Sequence, residues 1–447
     1  MKGFMIAGVS SGIGKTTISM GLMSLFENVS PFKVGPDYID TTFHQFVTGN
    51  KSYNLDLFMM GEEGVKYSFY KHHKGISIVE GVMGLYDGID HSLDNNSSAH
   101  LARVLDLPVI LIVSGGGKST SIAAEVLGYK MLDSRVKIAG VIINRTTEAM
   151  YKHYKEAIEK YTGVECIGYL PKDESLSVSS RHLGLLQAEE IDDLREKSKH
   201  LKGILQKTID VERLLEIAEL GEKDGIKNPF EELKDKYKGL KVGIAKDKAF
   251  SFYYNDNLEL MEDLGMELIP FSPISDKKIP EVDLLYFGGG YPENYAKELS
   301  SNIEMRESIK VFHNRDGKIY GECGGFMYLT SGIKLLDGKY FPMCDIIKCS
   351  VEMRDRLDIS RFGYISLYDK EKTLGRGHEF HYSKIYDIKD DSREYRAIKP
   401  NGKEWSCVFK EKNCRAGYPH IHFFKSLDYL YERLCHNKWL ILTRNSV

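Results

Sequence analysis

One cysteine of this chain lies in a setting that suits a nucleophile. Cys323 belongs to the segment GECGG (321–325), which follows a strand-like run. Glycines around a thiol at a strand-to-helix turn let a substrate carbonyl approach the sulfur and the backbone N–H groups beyond it. The thiol also needs a base nearby in space, and His420 and His422 lie in one apolar segment near the end of the chain. We predict that Cys323 attacks a carbonyl carbon and that His420 accepts the thiol proton.

Three glycines at 288–290 add to this predicted site. They follow a predicted strand (284–287) and precede Tyr291 and Pro292. An oxyanion hole requires unhindered N–H groups that point at a developing negative charge, and glycine leaves the backbone accessible. We therefore expect this run to supply N–H donors to the intermediate formed at Cys323.

A different chemistry is indicated at the start of the chain, where the glycine loop GVSSGIGKTT (8–17) joins an apolar strand pattern to a helical one. In such a loop the backbone N–H groups and the helix N-terminus bind phosphate oxygens. The lysine supplies a positive charge, and the hydroxyl that follows it can ligate Mg²⁺. Asn144 ends a predicted strand, and its side-chain amide can form hydrogen bonds with the edge of a nucleotide base. The residues predicted to bind the nucleotide are Gly12, Gly14, Lys15, Thr16, Thr17 and Asn144.

Carboxylates follow the second and third predicted strands, in the segments VGPDYID (34–40) and EGVMGLYDG (80–88). The carboxyl ends of parallel strands converge on the ligand crevice of a doubly wound sheet. Carboxylate and hydroxyl oxygens are the protein ligands that Mg²⁺ takes beside a triphosphate. We predict that Thr16, Asp40 and Glu80 bind this ion.

The elements that must position these residues follow from the length and pattern of the chain. Its 447 residues are too many for one core, and 42% hydrophobic with 28% charged residues is typical of a globular protein. A net charge of −3 gives no electrostatic reason to expect a nucleic acid or an anionic membrane as partner. The apolar runs have strand length and the seven cysteines form no Cys-x-x-Cys pair. We therefore expect reduced thiols and a cytoplasmic protein without membrane spans.

Strand and helix patterns alternate in both halves of the chain. A helical stretch rich in Glu, Lys and Leu separates the two series, and the second series begins near residue 240. We predict an α/β protein with two doubly wound domains, the first at 1–195 and the second at 240–447, joined by a helical linker region at 196–239.

Together, these motifs resemble those of the cobyrinic acid a,c-diamide synthase family, the glutamine-dependent amidases of corrinoid biosynthesis. The resemblance extends over nearly the whole chain. Its segments are residues 8–17, 34–40, 80–88, 181–185, 249–254, 288–293, 321–329 and 377–382. It implies a P-loop NTPase-like first domain of the dethiobiotin-synthetase type and a flavodoxin-like class I glutamine amidotransferase as the second domain.

The resemblance also implies a reaction. Cys323 and His420 would release ammonia from glutamine. In the first domain, ATP with Mg²⁺ would convert the a and c side-chain carboxylates of cobyrinic acid to acyl phosphates, and ammonia would convert these to amides in cobalamin biosynthesis. The residues expected at the substrate or intermediate are Asp37, Tyr38, Asp40, Asp87 and Arg181. The partners would be the corrinoid, glutamine and ATP, and a second copy if the protein is a homodimer.

One position departs from most class I glutamine amidotransferases. These domains usually carry a glutamate two residues after the catalytic histidine, where this chain has His422. The corrinoid branch shares this departure. A two-residue Cys–His dyad is therefore favoured over a triad.

Other functions remain open at this point. Related amidases act on nickel-sirohydrochlorin, and the shared motifs do not distinguish this substrate or hydrogenobyrinic acid from cobyrinic acid. A non-enzymatic alternative is a P-loop ATPase switch joined to an inactive amidotransferase-like domain. Such switches carry an additional lysine four residues before Gly14, where this chain has Ser10.

Overall fold

The computed structural model describes residues 1–176, 194–221 and 226–430. Two compact units are present, and their residues are Met1–Leu57 with Gly61–Pro229, and Phe58–Met60 with Phe230–Val447. Each unit has its own sheet and its own hydrophobic core. Within the described ranges, no helix is both long and apolar enough to cross a membrane.

The first unit is built on a sheet of seven parallel strands. In chain order they are β1 (Lys2–Gly8), β2 (Val29–Val34), β3 (Tyr53–Leu55), β4 (Ile76–Glu80), β5 (Val109–Ser114), β6 (Ile138–Asn144) and β7 (Cys166–Leu170). They lie side by side in the order β3-β2-β4-β1-β5-β6-β7. Apolar runs such as VILIVS in β5 are typical of parallel strands covered on both faces. The predicted phosphate and metal residues lie at or just after the carboxyl ends of β1, β2 and β4. The parallel arrangement brings these three strand ends to the same side of the sheet.

Helices connect these strands. Among the described residues they are α1 (Lys15–Met23), α2 (Tyr38–Thr48), α3 (Leu57–Lys71, of which Phe58–Met60 belong to the second unit), α4 (Ser98–Leu105), α5 (Ser121–Leu132), α6 (Glu148–Thr162), α7 (Leu194–Thr208) and α8 (Val211–Ile217). The backbone of α3 is broken at Gly61, where φ is 70°.

The helical segment predicted as a linker packs onto the first unit. Leu201 and Leu205 of α7 are buried in one cluster with Leu22 of α1. A Cβ atom on Gly21 of α1 would lie only 2.3 Å from Leu205 Cδ1, so the two helices approach closely. By its contacts the first unit extends to Pro229, which differs from the predicted domain end at 195.

The second unit contains one large and one small sheet. Its strands are β8 (Lys241–Ala245), β9 (Glu267–Phe271), β10 (Leu284–Phe287), β11 (Lys318–Glu322), β12 (Thr330–Lys334), β13 (Tyr340–Pro342), β14 (Ile347–Met353), β15 (Gly363–Asp369), β16 (Lys372–Glu379), β17 (Ser383–Tyr386), β18 (Arg393–Ile398), β19 (Glu404–Glu411), β20 (Cys414–Gly417) and β21 (His420–His422). Ten strands form a sheet of order β21-β16-β15-β18-β19-β20-β11-β10-β8-β9, and four form β13-β12-β14-β17.

The ten-stranded sheet has a parallel and an antiparallel half. Strands β9, β8, β10, β11 and β20 are parallel neighbours, which together with the first unit confirms the predicted α/β class. Beyond β20, the sheet continues through β19, β18, β15, β16 and β21. Each of these strands is antiparallel to its neighbours. This antiparallel extension was not predicted from the sequence.

The helices of the second unit, within the described residues, are α9 (Asn255–Asp263), α10 (Ala296–Ser301), α11 (Ile303–Asn314) and α12 (Gly324–Leu329). Every residue of α12 is buried. Its Phe326 and Leu329 belong to one core cluster with Phe287 of β10 and Ala416 of β20. This packing fixes the turn between β11 and α12, where Cys323 lies.

Candidate active sites

The phosphate loop follows β1 and ends where α1 begins. Gly14 precedes the helix with a φ of 102°, a left-handed conformation that glycine adopts without steric cost. No side chain of the described residues caps α1, so its first N–H groups are left for an anion. Asn144 Nδ2 donates to Ile13 O at 2.7 Å, and a Cβ on Gly14 would be only 2.2 Å from that nitrogen. Asn144, predicted to contact a base, therefore also holds the loop in place.

A cavity of about 690 Å³ opens at this loop, a volume that suits a nucleotide-sized ligand. The predicted residues in its wall are Gly12, Gly14, Lys15, Thr16, Thr17, Asp37, Asp40, Glu80 and Asn144. Tyr38 and Asp87 lie outside this wall. Arg181 lies outside the described residues.

The Lys15 ammonium is held by backbone carbonyls. Its Nζ donates to Ser10 O at 3.0 Å and to Met83 O at 2.5 Å. Burial, and after it the positive charge of Lys33, lowers the pKa of Lys15. Both hydrogen-bond partners are uncharged, so the ammonium is suited to binding a phosphate oxygen.

Thr16, Asp40 and Glu80 place oxygen atoms next to one another. Thr16 Oγ1 donates to Glu80 Oε1 at 2.7 Å and lies 3.4 Å from Asp40 Oδ1. Oxygen donors of this kind are the ligands that Mg²⁺ prefers. The residues present therefore fit the predicted magnesium site.

Lys33 is a residue of this site that the sequence analysis missed. Its ammonium lies 2.6 Å from Asp40 Oδ2, 2.9 Å from Glu80 Oε1 and 3.1 Å from Gly81 O. Burial alone would lower the pKa of Lys33, but the two carboxylates outweigh burial and raise it. Lys33 therefore stays charged between the two predicted metal ligands. The signal available in the sequence was a lysine inside the mostly apolar strand β2 (VSPFKV).

The carboxyl groups of Glu80 and Asp40 differ in the direction of their pKa shifts. Burial would raise the pKa of Glu80, but Lys33 and a hydrogen bond from His44 hold it well below its usual range. Burial raises the pKa of Asp40, and the nearby carboxylates of Asp37 and Glu80 raise it further. Lys33 opposes the rise at Asp40 through its charge and its hydrogen bond, so the pKa values of the two carboxyl groups shift in opposite directions.

His44 is a second residue that the sequence analysis missed. Its Nε2 lies 2.8 Å from Glu80 Oε2, and its Nδ1 lies 3.1 Å from Ser52 Oγ. Neither His44 nor Glu80 has an exposed side chain. A buried hydrogen bond of this kind fixes the orientation of a carboxylate that binds metal. Asp40 and His44 are four residues apart on α2, a spacing that puts both on one helix face.

Asp37 and Asp87 organise the backbone near the cavity. Asp37 caps α2, since its Oδ1 accepts from the N–H groups of Ile39 at 2.8 Å and Asp40 at 3.0 Å. Asp87 Oδ2 accepts from the Gly84 N–H at 2.8 Å. The contacts with substrate that were expected of these two residues and of Tyr38 stay predictions.

In the second unit, Cys323 occupies a sharp turn between β11 and α12. Its φ of 47° and ψ of −103° are a strained conformation for a residue other than glycine, as found at nucleophiles on strand-to-helix turns. Its N–H donates to Gly417 O at 2.8 Å, and its thiol donates to Phe380 O at 3.7 Å. Burial, and after it the charge of Glu293, raises the pKa of the thiol. The sulfur therefore needs a base to become a nucleophile.

His420 is the first residue of β21 and lies opposite His378 of β16. The two rings stack with their centroids 5.0 Å apart. Burial, and after it the charges of His378 and His381, lowers the pKa of His420. A neutral imidazole can accept a proton, which is the property that the predicted base requires.

The glycine run at 288–290 contacts both the cysteine turn and the histidine strand. A Cβ on Gly289 would lie 2.3 Å from His420 Cε1. A Cβ on Gly324, the residue after Cys323, would lie 2.9 Å from the nitrogen of Gly290. The absence of side chains from this run thus allows both the turn and the histidine to pack closely against one backbone segment.

The oxyanion role predicted for this run requires a correction. The Gly288 N–H donates to Tyr253 OH at 2.8 Å. The Gly289 N–H donates to Phe252 O at 3.2 Å. Both groups anchor the run to the preceding segment, so they are engaged before an oxyanion forms, and a donor role is retained only for Gly290.

His422 lies two residues after His420 on the same face of β21. Its ring centroid is 5.0 Å from that of Tyr254 and 4.9 Å from that of Phe424. Burial lowers the pKa of His422 to about 4. A neutral ring among aromatic side chains does not supply the negative charge of the glutamate found at this position in most class I amidotransferases.

Two family models match the chain, one in each unit. The CobQ/CobB/MinD/ParA nucleotide binding domain matches residues 4–186, which contain the phosphate loop and the carboxylate cluster. The CobB/CobQ-like glutamine amidotransferase domain matches residues 241–427, which contain Cys323 and His420.

Curated relatives match over nearly the whole chain. The cobyrinate a,c-diamide synthase of Fusobacterium nucleatum subsp. nucleatum is 59% identical over 442 residues, which cover 97% of this chain and 100% of that protein. The cobyrinate a,c-diamide synthase of Caldanaerobacter subterraneus subsp. tengcongensis is 44% identical, covering 94% of this chain and 95% of its own. That of Listeria innocua serovar 6a is 41% identical, covering 95% and 97%. The resemblance inferred from the motifs is confirmed, and this chain belongs to the cobyrinate a,c-diamide synthase family.

Proposed function

We propose that this chain amidates the a and c side-chain carboxylates of cobyrinic acid, with ATP and glutamine as co-substrates. The observation that carries the proposal is the presence, in one chain, of an uncapped phosphate loop and of a strained cysteine turn that packs against the same glycine run as a buried histidine. The names of the relatives support cobyrinate as the substrate, in preference to hydrogenobyrinic acid or nickel-sirohydrochlorin. The presence of both a thiol and a base disfavours a switch with an inactive second domain.

In the second unit, His420 takes the proton of the Cys323 thiol. The sulfur then forms a bond to the side-chain amide carbon of glutamine. The carbon–nitrogen bond breaks, and the nitrogen leaves as ammonia with the proton that His420 returns. Water hydrolyses the thioester and releases glutamate, which restores the thiol.

In the first unit, Lys15 and the N-terminal N–H groups of α1 bind the phosphates of ATP. Thr16, Asp40 and Glu80 would hold Mg²⁺, which when bound offsets negative charge on the phosphates. An oxygen of the substrate carboxylate attacks the γ-phosphorus, ADP leaves, and an acyl phosphate forms. Ammonia then attacks the acyl carbon and phosphate leaves, which gives the amide. This activation is needed because a carboxylate is a poor acyl donor.

The remaining residue roles are part of the same proposal. Asp37, Tyr38, Asp87 and Arg181 are proposed to contact the corrinoid or its acyl phosphate. A homodimer and a cytoplasmic location also stay predictions, to be checked by light scattering and by cell fractionation.

The test is product mass after incubation of the purified chain with ATP, Mg²⁺, glutamine and cobyrinic acid. Two successive carboxylate-to-amide mass changes are expected. Cys323→Ser should lose this activity with glutamine and keep it with free ammonia. Nickel-sirohydrochlorin and hydrogenobyrinic acid are run in parallel. ATP turnover that is indifferent to every macrocycle, with no amide formed, would contradict the proposal.

A further inference from the structure

Glu322 is a buried carboxyl group that links the strand of the nucleophile to the strand of the histidine. It is the last residue of β11, directly before Cys323, and only 1% of it is exposed. Its Oε1 accepts from the N–H of Ile421 at 3.1 Å, and Ile421 follows His420 directly. Strands β11 and β21 are not neighbours in the sheet. The link is therefore made by this side chain and not by strand pairing.

The other oxygen of Glu322 faces the predicted base. Glu322 Oε2 lies 3.9 Å from His420 Nδ1 and accepts from Tyr286 OH at 3.0 Å. Tyr320 OH donates to Oε1. Donors from β10, β11 and β21 thus hold both oxygens, so the carboxyl group has a fixed orientation toward the imidazole.

The charge of Glu322 suits the charge that His420 acquires during the reaction. Burial raises the pKa of Glu322 to about 7, although its hydrogen-bond donors oppose this rise. Above that pH the carboxylate favours the imidazolium that forms when His420 takes the thiol proton. Burial and the neighbouring His378 and His381 have the opposite effect, since each lowers the pKa of His420.

The geometry also bears on the tautomer of His420. Its Nδ1 lies 3.9 Å from Glu322 Oε2, which is beyond hydrogen-bond length, so the carboxylate favours a proton on Nδ1 through its charge, and Nε2 is left as the base. In the step concerned, the Cys323 S–H bond breaks, its proton binds to Nε2, and the sulfur electron pair bonds to the amide carbon of glutamine while the C=O π pair moves to the oxygen as a tetrahedral oxyanion. The Nδ1–H group keeps its orientation toward Glu322 while the ring is charged.

We infer that Glu322 is a positioning residue for His420, with the role that a glutamate two residues after the histidine has in most class I amidotransferases. The inference rests on the roles proposed above for Cys323 and His420. It is consistent with His422, whose ring lies among Tyr254 and Phe424 and carries no negative charge.

The test is Glu322→Gln in the full chain, with glutaminase activity and ammonia-dependent amidation measured side by side. We expect kcat/KM for glutamine to fall about tenfold or more, mainly through kcat. Ammonia-dependent amidation should stay within about twofold of wild type. The wild-type kcat/KM should decline below about pH 7 as Glu322 takes up a proton, and this decline should be absent from the variant.

Glu394→Gln is the matched control. Glu394 is a partly buried carboxyl group of the same unit, but its oxygens accept from Arg415 at 2.9 Å and from Lys410 at 3.1 Å. Its glutaminase activity should stay within about twofold of wild type. The inference is overturned if Glu322→Gln keeps the wild-type rate and pH profile, or if the control loses as much activity. Glutaminase activity in Cys323→Ser would instead contradict the proposed function.

A measurement on the wild-type chain does not depend on the folding of any variant. With ¹⁵N-labelled histidine, the ring signals of His420 are assigned by their loss in His420→Asn. The inference requires the proton of the neutral ring to lie on Nδ1. A neutral ring protonated on Nε2 would overturn it.

Discussion

The ammonium of Lys33 lies 2.9 Å from the carboxylate of Glu80, in an ion pair of which only 3% and 0% of the two side chains are exposed. Buried charges of this kind are favourable only together, because each has lost its hydration. Removal of one partner leaves the other uncompensated in a medium of low polarity. The pair therefore links the folding of the first unit to the state of its active site.

Lys33→Met should destabilise the first unit by about 3 kcal/mol, because Asp40 and Glu80 lose the cation that they share. The measurement is the free energy of unfolding in urea, followed by circular dichroism. Lys152→Met removes a lysine from an exposed pair with Glu148 and should have no measurable effect. Equal effects of the two substitutions would contradict the role given to burial.

His44→Leu should weaken the binding of Mg²⁺ about tenfold or more, because Glu80 loses the hydrogen bond that orients one of its oxygens. Calorimetric titration of Mg²⁺ into the chain with bound ADP measures this affinity. ADP binding without Mg²⁺ should not change. A variant with the Mg²⁺ affinity of wild type would show that His44 is needed only for packing.

Gly289→Ala should reduce glutamine-dependent amidation about tenfold or more, because its methyl group would meet the His420 ring at 2.3 Å and displace it. Amidation with free ammonia should persist. Gly128→Ala on α5 is the control, because a Cβ there meets no atom within 4 Å. The idea fails if the two alanine variants have the same glutamine-dependent rate.

The alkylation of Cys323 by iodoacetamide should accelerate continuously from about pH 6 to about pH 9 in the absence of glutamine. The reason is that burial raises the pKa of the thiol and lowers that of His420, so the resting pair is uncharged at neutral pH. Mass spectrometry of the labelled peptide gives the rate, with Cys323→Ser as the blank. Rapid alkylation that is independent of pH below about pH 7 would instead indicate a thiolate–imidazolium pair formed in advance.

The residues that form motifs were predictable from the sequence. A glycine-rich loop that precedes Lys15, and a cysteine flanked by glycines after a strand, are each typical of a small number of functions. Both could therefore be recognised from the sequence without knowledge of the packing. The carboxylates that follow β2 and β4 could be grouped because parallel strands bring their ends to one edge.

The residues that depend on packing were not predicted. Lys33 and Glu322 act through partners that are distant in the chain, Glu80 and Ile421, and the sequence does not show these pairings. The antiparallel half of the second sheet was missed for a related reason, since its strands have one buried face and weaker apolar runs than β5.

The packing of α7 and α8 determines where the chain can be cut to give a nucleotide-binding fragment with an intact core. A nucleotide-binding half cut after β7 would lack the leucines that cover α1, and its core would present an apolar surface to water. Such a fragment should aggregate, whereas one that continues through α8 keeps its core covered. The first unit therefore extends beyond the matched nucleotide-binding domain and needs this pair of helices to complete its core.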